Sequence, residues 1–567
     1  MLKKITPGSG RRCPKGAAGF RSAVAAGCAV LRIEPTRPET PIRGSRWRSA
    51  DELARRPRSP FWHEGRHNPT FSEPSVVSRA SDSGIYMAFQ TSRGTSLATM
   101  IAATLAVLAG CVDEKLVRAP LFDEPVEAAG GFLGYSAGDD KLTVCGNCHV
   151  EKQGDWEGTG HASAWATLEA NPGAQGFCED CHTVGELGNT VEGPVGHPAT
   201  GEERYRDVQC ESCHGPGLDH VTNPTDATVP PAPLQAGIDQ SSGCGECHSG
   251  VHHPFVQEWE MSRHGAGALA VDQRTRDGCA SCHGGEAVLE SWGIRTEYVE
   301  KGQGESIGIT CAVCHDPHDA THDGQLRFAV DAREPEQNLC MKCHQKRSIP
   351  DEGTSTRGPH SPQGPLLLGE IGTVGWTPPG FAYNVDRIRG SHGSVANERL
   401  CAACHVNSYE VTDPESGDHV FSSTGHLFKA IPCLDADGVP TADDSCALSV
   451  DERSFQGCTA SGCHGDADAA LSALVLAQGR IGDLVTELDG LLAQVPGDQF
   501  SDTDTLFTVG EGARFNLQLG EIESSAVHNP FLTEALLKSS IDAVEEEYGL
   551  PVPSDARLGG GGSDPGR

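Results

Sequence analysis

Cysteine and histidine recur along this chain in one fixed pattern. Cys-x-x-Cys-His occurs eight times, and a ninth copy, from Cys458 to His464, has four residues between its cysteines instead of two. In a short helical turn, residues three apart lie on one face. Two thiols at this spacing can therefore form thioethers to the two vinyl groups of one porphyrin, and the histidine that follows can bind the iron. The pattern is the attachment signature of c-type haem.

The pattern predicts nine covalently bound haems, the ninth at the irregular copy. The predicted attachment residues are Cys145, Cys148, Cys178, Cys181, Cys210, Cys213, Cys244, Cys247, Cys279, Cys282, Cys311, Cys314, Cys340, Cys343, Cys401, Cys404, Cys458 and Cys463. The predicted proximal iron ligands are His149, His182, His214, His248, His283, His315, His344, His405 and His464. Zinc is the alternative, since Cys-x-x-Cys is half of a zinc ribbon, but zinc does not require a histidine directly after the second cysteine. For the irregular copy the alternative is a disulfide or a free thiol pair.

The second axial ligand separates an electron carrier from an enzyme. Iron with two histidines mainly transfers electrons, whereas an open position can bind a substrate. Outside the motifs and the N-terminal leader, 13 histidines remain for nine irons. The nine candidates for this distal position are His161, His220, His253, His264, His318, His360, His392, His426 and His528. Three of them, His161, His264 and His426, end the recurring pattern aromatic-x-x-(Ser/Thr)-x-His. The other four histidines, His197, His252, His322 and His419, are predicted to be solvated surface residues.

The N-terminal 110 residues have a different composition from the rest. Residues 1–86 carry 16 Lys and Arg against 7 Asp and Glu without a sustained periodicity, which predicts a non-native or disordered extension. Residues 87–110 have a charged start, an apolar core too short to span a membrane, and a small-residue end, which together predict a signal peptide. Because Leu108-Ala-Gly-Cys111 matches the lipobox of bacterial lipoproteins, we expect a lipid anchor on Cys111. A genuine basic leader, and an ordinary cleaved signal with an incidental cysteine, are the alternatives.

Without this leader the chain is strongly acidic. Removing residues 1–110 leaves 27 basic and 71 acidic residues, a formal charge of −44. Such a surface repels nucleic acid, which we exclude as a partner. The charge would steer cationic redox partners or metal oxides toward the protein, although a well-solvated surface is the simpler interpretation.

Two cysteines lie outside the motifs, the leader and the predicted anchor Cys111. Cys433 and Cys446 bracket a short polar loop, which predicts a disulfide in an exported protein. The loop contains Asp435, Asp437 and the Asp443-Asp444 pair, which raises calcium as an alternative. The spacing of these carboxylates does not match an EF-hand loop.

The predicted fold is mainly α with extensive coil. Motifs follow one another too closely for each unit to bury a core of its own, and Gly and Pro between them oppose long helices. We therefore expect a linker at 111–139, a nonahaem domain with a haem-packed core at 140–465, a helical segment at 466–550 and a disordered tail at 551–567. Leucine periodicity predicts a helix from Ala469 to Gln494, and Asn529-Pro530 predicts the start of another.

Three stretches carry a family resemblance. Cys210-Glu-Ser-Cys-His-Gly-Pro-Gly217, Cys311-Ala-Val-Cys-His-Asp-Pro-His318 and the segment from Val527 to Leu537 resemble bacterial multihaem c-type cytochromes. Among these, the stretches resemble the tetrahaem electron carriers of ammonia oxidisers and their wider superfamily, which includes hydroxylamine oxidoreductase and pentahaem nitrite reductase. The resemblance covers roughly residues 140 to 550 and implies a haem-packed fold. These nitrite reductases use Cys-x-x-Cys-Lys at the catalytic haem, a motif that this chain lacks. No pattern singles out a tyrosine for the haem crosslink of the hydroxylamine oxidoreductases.

These observations favour electron transfer along nine haems, in respiratory or extracellular electron transfer, over catalysis, and no catalytic residue is assigned. The expected partners are redox proteins or a terminal electron acceptor, the membrane through the lipid anchor, and further copies of the chain in an oligomer or polymer. We expect an exported lipoprotein at the periplasmic face or the outer membrane and cell surface. The alternative is an oxidoreductase that acts on a small nitrogen or sulfur compound at one open haem. A sixth protein ligand at the irregular ninth motif distinguishes the two.

Overall fold

The computed structural model describes residues 129–137, 141–230, 243–250, 252–265, 271–294, 307–345, 358–460, 462–501 and 506–550. The predicted extension, signal peptide, lipid-anchor cysteine and C-terminal tail lie outside these residues. Within them, no helix is both long enough and apolar enough to cross a membrane.

The motif region consists of short helices joined by coil, as the sequence predicts. Its α-helices are Val150–Glu157, Ala164–Ala170, Gly196–Thr200, Cys210–His214, Leu218–Thr222, Cys244–Cys247, Phe255–Met261, Val271–Thr275, Ala280–His283, Gly285–Ser291, Cys311–Cys314, Gln363–Leu368, Val385–Ile388, Cys401–His405 and Gln456–Thr459. The 3-10 helices of the described chain are Ala129–Gly131, Cys145–Asn147, His161–Ser163, Gly176–His182, Glu203–Tyr205, Asp226–Thr228, Asp323–Gln325 and Gly497–Phe500. The fold is therefore mainly helical with much coil.

Regular motifs adopt the predicted helical turn, whereas the helix Gln456–Thr459 ends before the second cysteine of the irregular ninth motif. The histidine N–H bonds back to the carbonyl of the first cysteine, as at His149 to Cys145 (2.9 Å) and His344 to Cys340 (3.0 Å). This turn places both cysteines and the histidine toward the same space, which is the arrangement that the spacing predicts.

Strands are few and short in the described part of the chain. Three antiparallel hairpins occur: Tyr135–Ala137 with Leu142–Thr143, Tyr409–Thr412 with His419–Ser423, and Cys433–Leu434 with Pro440–Thr441. The predicted disulfide between Cys433 and Cys446 is formed next to the last hairpin, which confirms that prediction. In its loop, the Asp435 carboxylate accepts hydrogen bonds from the backbone N–H groups of Asp437 and Val439.

The folded chain begins earlier than residue 140, so the predicted linker at 111–139 is too long at its C-terminal end. Phe132 and Leu133 are fully buried. The Glu211 carboxylate accepts the backbone N–H groups of Leu133 and Gly134, each at 2.8 Å, and the Tyr205 hydroxyl donates to the Phe132 carbonyl at 2.9 Å. These partners lie more than 70 residues away along the chain, and local composition does not reveal them.

Three long helices, Ala467–Leu492, Val509–Glu521 and Pro530–Tyr548, form a C-terminal bundle. The short helix Ser525–His528 precedes the last of them. The core of the bundle comprises Ala477, Ile481, Leu488, Leu491, Leu517, Leu537, Ile541 and Val544. The predicted helix start at Asn529-Pro530 is confirmed, because the Asn529 side chain accepts the Leu532 N–H at 3.0 Å. The same side chain donates to the Leu366 and Ile388 carbonyls, which joins the bundle to the motif region.

Candidate haem-binding site

Histidine rings face one another in pairs, and each pair joins a motif histidine to a predicted distal histidine. Eight pairs have ring centres 6.1 to 6.4 Å apart. The pairs are His149 with His220, His248 with His161, His214 with His318, His344 with His264, His283 with His360, His315 with His426, His464 with His392 and His405 with His528. One narrow distance thus recurs at eight separate places.

This distance fits a metal ion between two imidazoles. Metal–imidazole bonds are about 2.0 to 2.1 Å long, and a ring centre lies about 1.1 Å beyond its nitrogen, so two rings on opposite sides of one ion have centres about 6.2 Å apart. Rings in direct contact are closer, as His252 and His419 show at 4.9 Å. Among the described residues, no group of three or more His, Cys, Asp or Glu side chains is placed to hold a metal ion, whereas structural zinc takes four ligands.

His182 and His253 are the remaining motif histidine and the remaining distal candidate. Burial, followed by the neighbouring His252 and His182, lowers the pKa of His253, so the two side chains lie within electrostatic reach. The His182 ring is fixed by its Nδ1 atom, which lies 2.7 Å from the Ala164 carbonyl oxygen. Their pairing is thus assigned by elimination, and His253 is exposed, unlike most of the other distal candidates.

Hydrogen bonds at Nδ1 orient several of these rings. Nδ1 faces a backbone carbonyl oxygen in His315 (Gly324, 2.6 Å), His392 (Val527, 2.6 Å) and His405 (Phe428, 2.9 Å). A carbonyl can only accept, so Nδ1 carries the proton and Nε2 keeps its lone pair. Such a bond sets the tautomer and the ring plane of a metal-binding histidine.

Burial keeps the histidines in the form that binds metal. Desolvation, reinforced by neighbouring histidines, lowers the pKa of His248, His264 and His426 to about 4. It lowers the pKa of His528 to about 3. These imidazoles are neutral near pH 7, and a neutral imidazole is the ligand form.

A continuous cavity connects most of the motifs. Its volume is about 2970 Å³, and it is lined by motif residues from Cys181 to His464. Pockets for single drug-sized ligands have about 300 to 1,000 Å³, so this cavity has room for several large flat groups. Leu476 and Phe531, which are 64% and 49% exposed, also line it. Haem in the cavity would cover these apolar side chains.

Cysteines of different motifs contact each other. Three such pairs interact through their thiols: Cys145 with Cys210, Cys244 with Cys311, and Cys340 with Cys401. Each pair is formed by the first cysteines of two motifs: the first with the third, the fourth with the sixth, and the seventh with the eighth. Cys181 and Cys247, the second cysteines of the second and fourth motifs, form a further pair. These contacts place the attachment points in three groups: the first and third motifs, the second, fourth and sixth motifs, and the seventh and eighth motifs.

The recurring aromatic pattern marks a structural repeat. The Trp156 indole N–H donates to the Val208 carbonyl at 3.1 Å, and the Trp259 indole N–H donates to the Ile309 carbonyl at 3.0 Å. Both acceptors lie two residues before the first cysteine of a motif, Cys210 or Cys311. The tryptophans precede His161 and His264 by the same interval, so the same local arrangement occurs twice.

One prediction about surface histidines is wrong. His197 is buried, and its ring centre lies 5.1 Å from that of Trp165. The side chain also lies 3.9 Å from the Glu179 carboxylate. The contact with Trp165 is made across 32 residues of sequence, which no local pattern reveals. His252 and His419 are exposed, as predicted, whereas His322 is half-buried.

Comparisons with known proteins agree with this site. The family described as cytochrome c554 and c-prime matches residues 144–215, and the family described as doubled CXXCH motif matches residues 304–348. Among solved structures, the crystal structure of outer cell wall cytochrome OcwA is similar, with 18% identity and a TM-score of 0.39 over 65% of this chain and 75% of that one. No curated protein matches the chain.

The motifs and the two family matches define a class of protein. The chain is a multihaem c-type cytochrome. Haem c is bound at its Cys-x-x-Cys-His motifs.

Proposed function

We propose that this protein transfers electrons through nine c-type haems, each ligated by two histidines. The observation that carries the proposal is the ring-centre distance of 6.1 to 6.4 Å, which recurs in eight histidine pairs. Bound haem supplies reversible one-electron chemistry, and its ligands and surroundings set the potential.

The irregular ninth motif supports electron transfer more than catalysis. His464 faces His392 at 6.2 Å, the same spacing as at the regular motifs. A distal histidine in this position would close the site to a substrate. The enzymatic alternative needs a haem at which this position is open.

We further propose that the protein is exported and anchored through Cys111, at the periplasmic face or at the outer membrane and cell surface. The leader pattern supports export, and so does the Cys433–Cys446 disulfide, since disulfides persist in oxidising compartments. The acidic surface suits cationic redox proteins or metal oxides as partners. Assembly into an oligomer or polymer belongs to the same proposal.

Exposure to small ligands tests this function. The purified oxidised protein is mixed with cyanide or nitrite, and its absorption spectrum is followed, before a reductive titration counts the electrons taken up. We expect an unchanged spectrum and uptake of nine electrons per chain. If any haem of the wild-type protein binds cyanide or nitrite, the result would favour the enzymatic alternative.

The distal candidate His318 has an acidic neighbour that should tune its haem. The Asp316 carboxylate lies 3.1 Å from His318 Nδ1 and 2.8 Å from an Arg327 Nη atom. These two partners, the His318 hydrogen bond first, hold the pKa of Asp316 well below its ordinary value. A carboxylate partner raises the basicity of a ligating imidazole, which favours oxidised iron.

Asp316→Asn is therefore expected to raise the potential of one haem. A tenfold change in relative stability of the two oxidation states corresponds to about 59 mV for one electron, and we expect a shift of about this size. The measurement is a redox titration followed by EPR. Asp319→Asn, in the same loop and bonded to Thr321 instead, is the control. Equal titration curves for the two variants would contradict the assignment.

A further inference from the structure

The segment from Ser423 to Phe428 touches the predicted axial ligands of three different haems. It carries His426, which faces His315. The Phe428 ring centre lies 5.5 Å from that of His426 and 4.7 Å from that of His264. The Phe428 carbonyl oxygen lies 2.9 Å from His405 Nδ1. One residue thus contacts ligands of the sixth, seventh and eighth motifs.

Phe428 makes these contacts from an uncommon backbone conformation. Its φ angle is +55°, a left-handed value that bulky side chains rarely adopt. Such conformations persist where the surroundings determine them, and they cluster at functional sites. In this conformation the ring packs against two imidazoles while the carbonyl oxygen accepts from a third.

A close backbone contact holds the middle of the segment in place. Gly425 has a φ of +79°, and a Cβ atom added there would lie 2.6 Å from the Val406 carbonyl carbon. Val406 directly follows His405, the motif histidine that bonds to Phe428. A side chain at Gly425 would therefore push the segment away from the eighth motif.

A buried carboxylate fixes the start of the segment. Glu258 is fully buried and accepts four hydrogen bonds. Its donors are the Ser423 hydroxyl (2.9 Å), the Thr424 N–H (3.0 Å), the Thr424 hydroxyl (2.6 Å) and the His426 N–H (2.7 Å). The backbone N–H of His426, a predicted axial ligand, is therefore hydrogen-bonded to a side chain of the helix Phe255–Met261.

The first residue of that helix extends the row of rings. The Phe255 ring centre lies 4.9 Å from that of His426 and 5.4 Å from that of His248, the histidine of the fourth motif. His248, Phe255, His426, Phe428 and His264 therefore form an unbroken row of rings. The row links the fourth, sixth and seventh motifs.

We propose that Phe428 is a positioning residue, which sets the ring planes of His264 and His426 with its side chain and that of His405 with its carbonyl. The Ser423–Phe428 segment is then the junction at which the haems of the sixth, seventh and eighth motifs are held in fixed relation. This inference rests on the proposed function, since it assigns these histidines as axial ligands. The strained backbone is what allows one residue to serve three ligands.

The Phe428→Gly variant distinguishes the contribution of the Phe428 ring from that of the Phe428 carbonyl oxygen. Glycine accepts a positive φ without strain, so the carbonyl contact to His405 is retained while the ring is lost. In holoprotein with wild-type haem content, we expect altered low-spin EPR signals for two haems, those at His264 and His426, and an unchanged signal for the haem at His405. Phe428→Tyr keeps the ring and should restore the wild-type spectrum.

Phe507→Gly is the matched control, because Phe507 packs against the C-terminal bundle and does not line the cavity. It should leave all haem signals unchanged. Wild-type signals in Phe428→Gly would overturn the inference, and so would altered signals in Phe428→Tyr. If Phe428→Gly yields no mature protein while Phe507→Gly does, a wild-type spectrum of Phe428→Tyr supports the inference and an altered one overturns it. A high-spin haem in the wild type would instead count against the proposed function.

Discussion

Glu258→Ala is expected to destabilise the protein by about 4 kcal/mol or more, because a buried donor left without its acceptor costs about 1 to 3 kcal/mol. Four donors, from Ser423, Thr424 and His426, would lose their acceptor together. The free energy of unfolding, or the thermal midpoint where unfolding is irreversible, measures the effect. Glu258→Gln keeps one oxygen but places a donor against donors, so an intermediate loss is expected.

The control for this prediction is Glu290→Ala, which removes the same charge from an exposed position on the helix Gly285–Ser291. Exposed substitutions change stability by about 0.5 kcal/mol or less. Equal stability of Glu258→Ala and Glu290→Ala would show that the carboxylate does not hold the segment in place.

His528→Ala is expected to convert one haem from low-spin to high-spin and to make it bind cyanide. His528 is half-buried, and its ring centre lies 6.2 Å from that of His405. Alanine retains the short helix Ser525–His528 and the Asn529 cap that follows, so the fold should persist. The measurement is EPR of the oxidised protein with and without cyanide.

A histidine outside the proposed ligand set provides the comparison. His419 is exposed and stacks on His252, so His419→Ala should keep every haem low-spin. If His528→Ala binds no cyanide and shows no high-spin signal, His528 is not an axial ligand and the pairing with His405 is wrong.

Local features were predictable because short-range chemistry determines them. The motif turn follows from a five-residue pattern, the Asn529 cap from the residues directly after it, and the Cys433–Cys446 disulfide from a leftover pair across a short loop. The distal candidates were found by their surroundings. All of them except His253 have a motif histidine at the 6 Å spacing, and His253 has one within electrostatic reach.

Long-range contacts were not predictable from the sequence. The partner of each distal histidine depends on how the coil packs, as when His161, after the first motif, faces His248 of the fourth. The role of Glu258 has no sequence signal, because its donors follow more than 160 residues later. The positive φ of Phe428 has no sequence signal, since phenylalanine rarely adopts it.

A recurring pattern did carry long-range information. Trp156 and Trp259 each anchor to the residue two before a motif cysteine, and the first cysteines of the paired motifs touch in the same way. The aromatic-x-x-(Ser/Thr)-x-His pattern thus reports a repeated haem-pair unit as well as a distal histidine. Aligning the chain against itself at this pattern would have predicted which motifs are neighbours.

The central claim is that nine haems are bound and that each has two histidine ligands. The most direct test is the haem content per chain, together with the EPR spin state, of protein expressed from Met87 with a c-type cytochrome maturation system. We predict nine haems, all low-spin, and the loss of one haem in the Cys458→Ala/Cys463→Ala variant. Eight haems in the wild type would show that the irregular ninth motif binds no haem. A high-spin signal would contradict the claim that every haem has two histidine ligands.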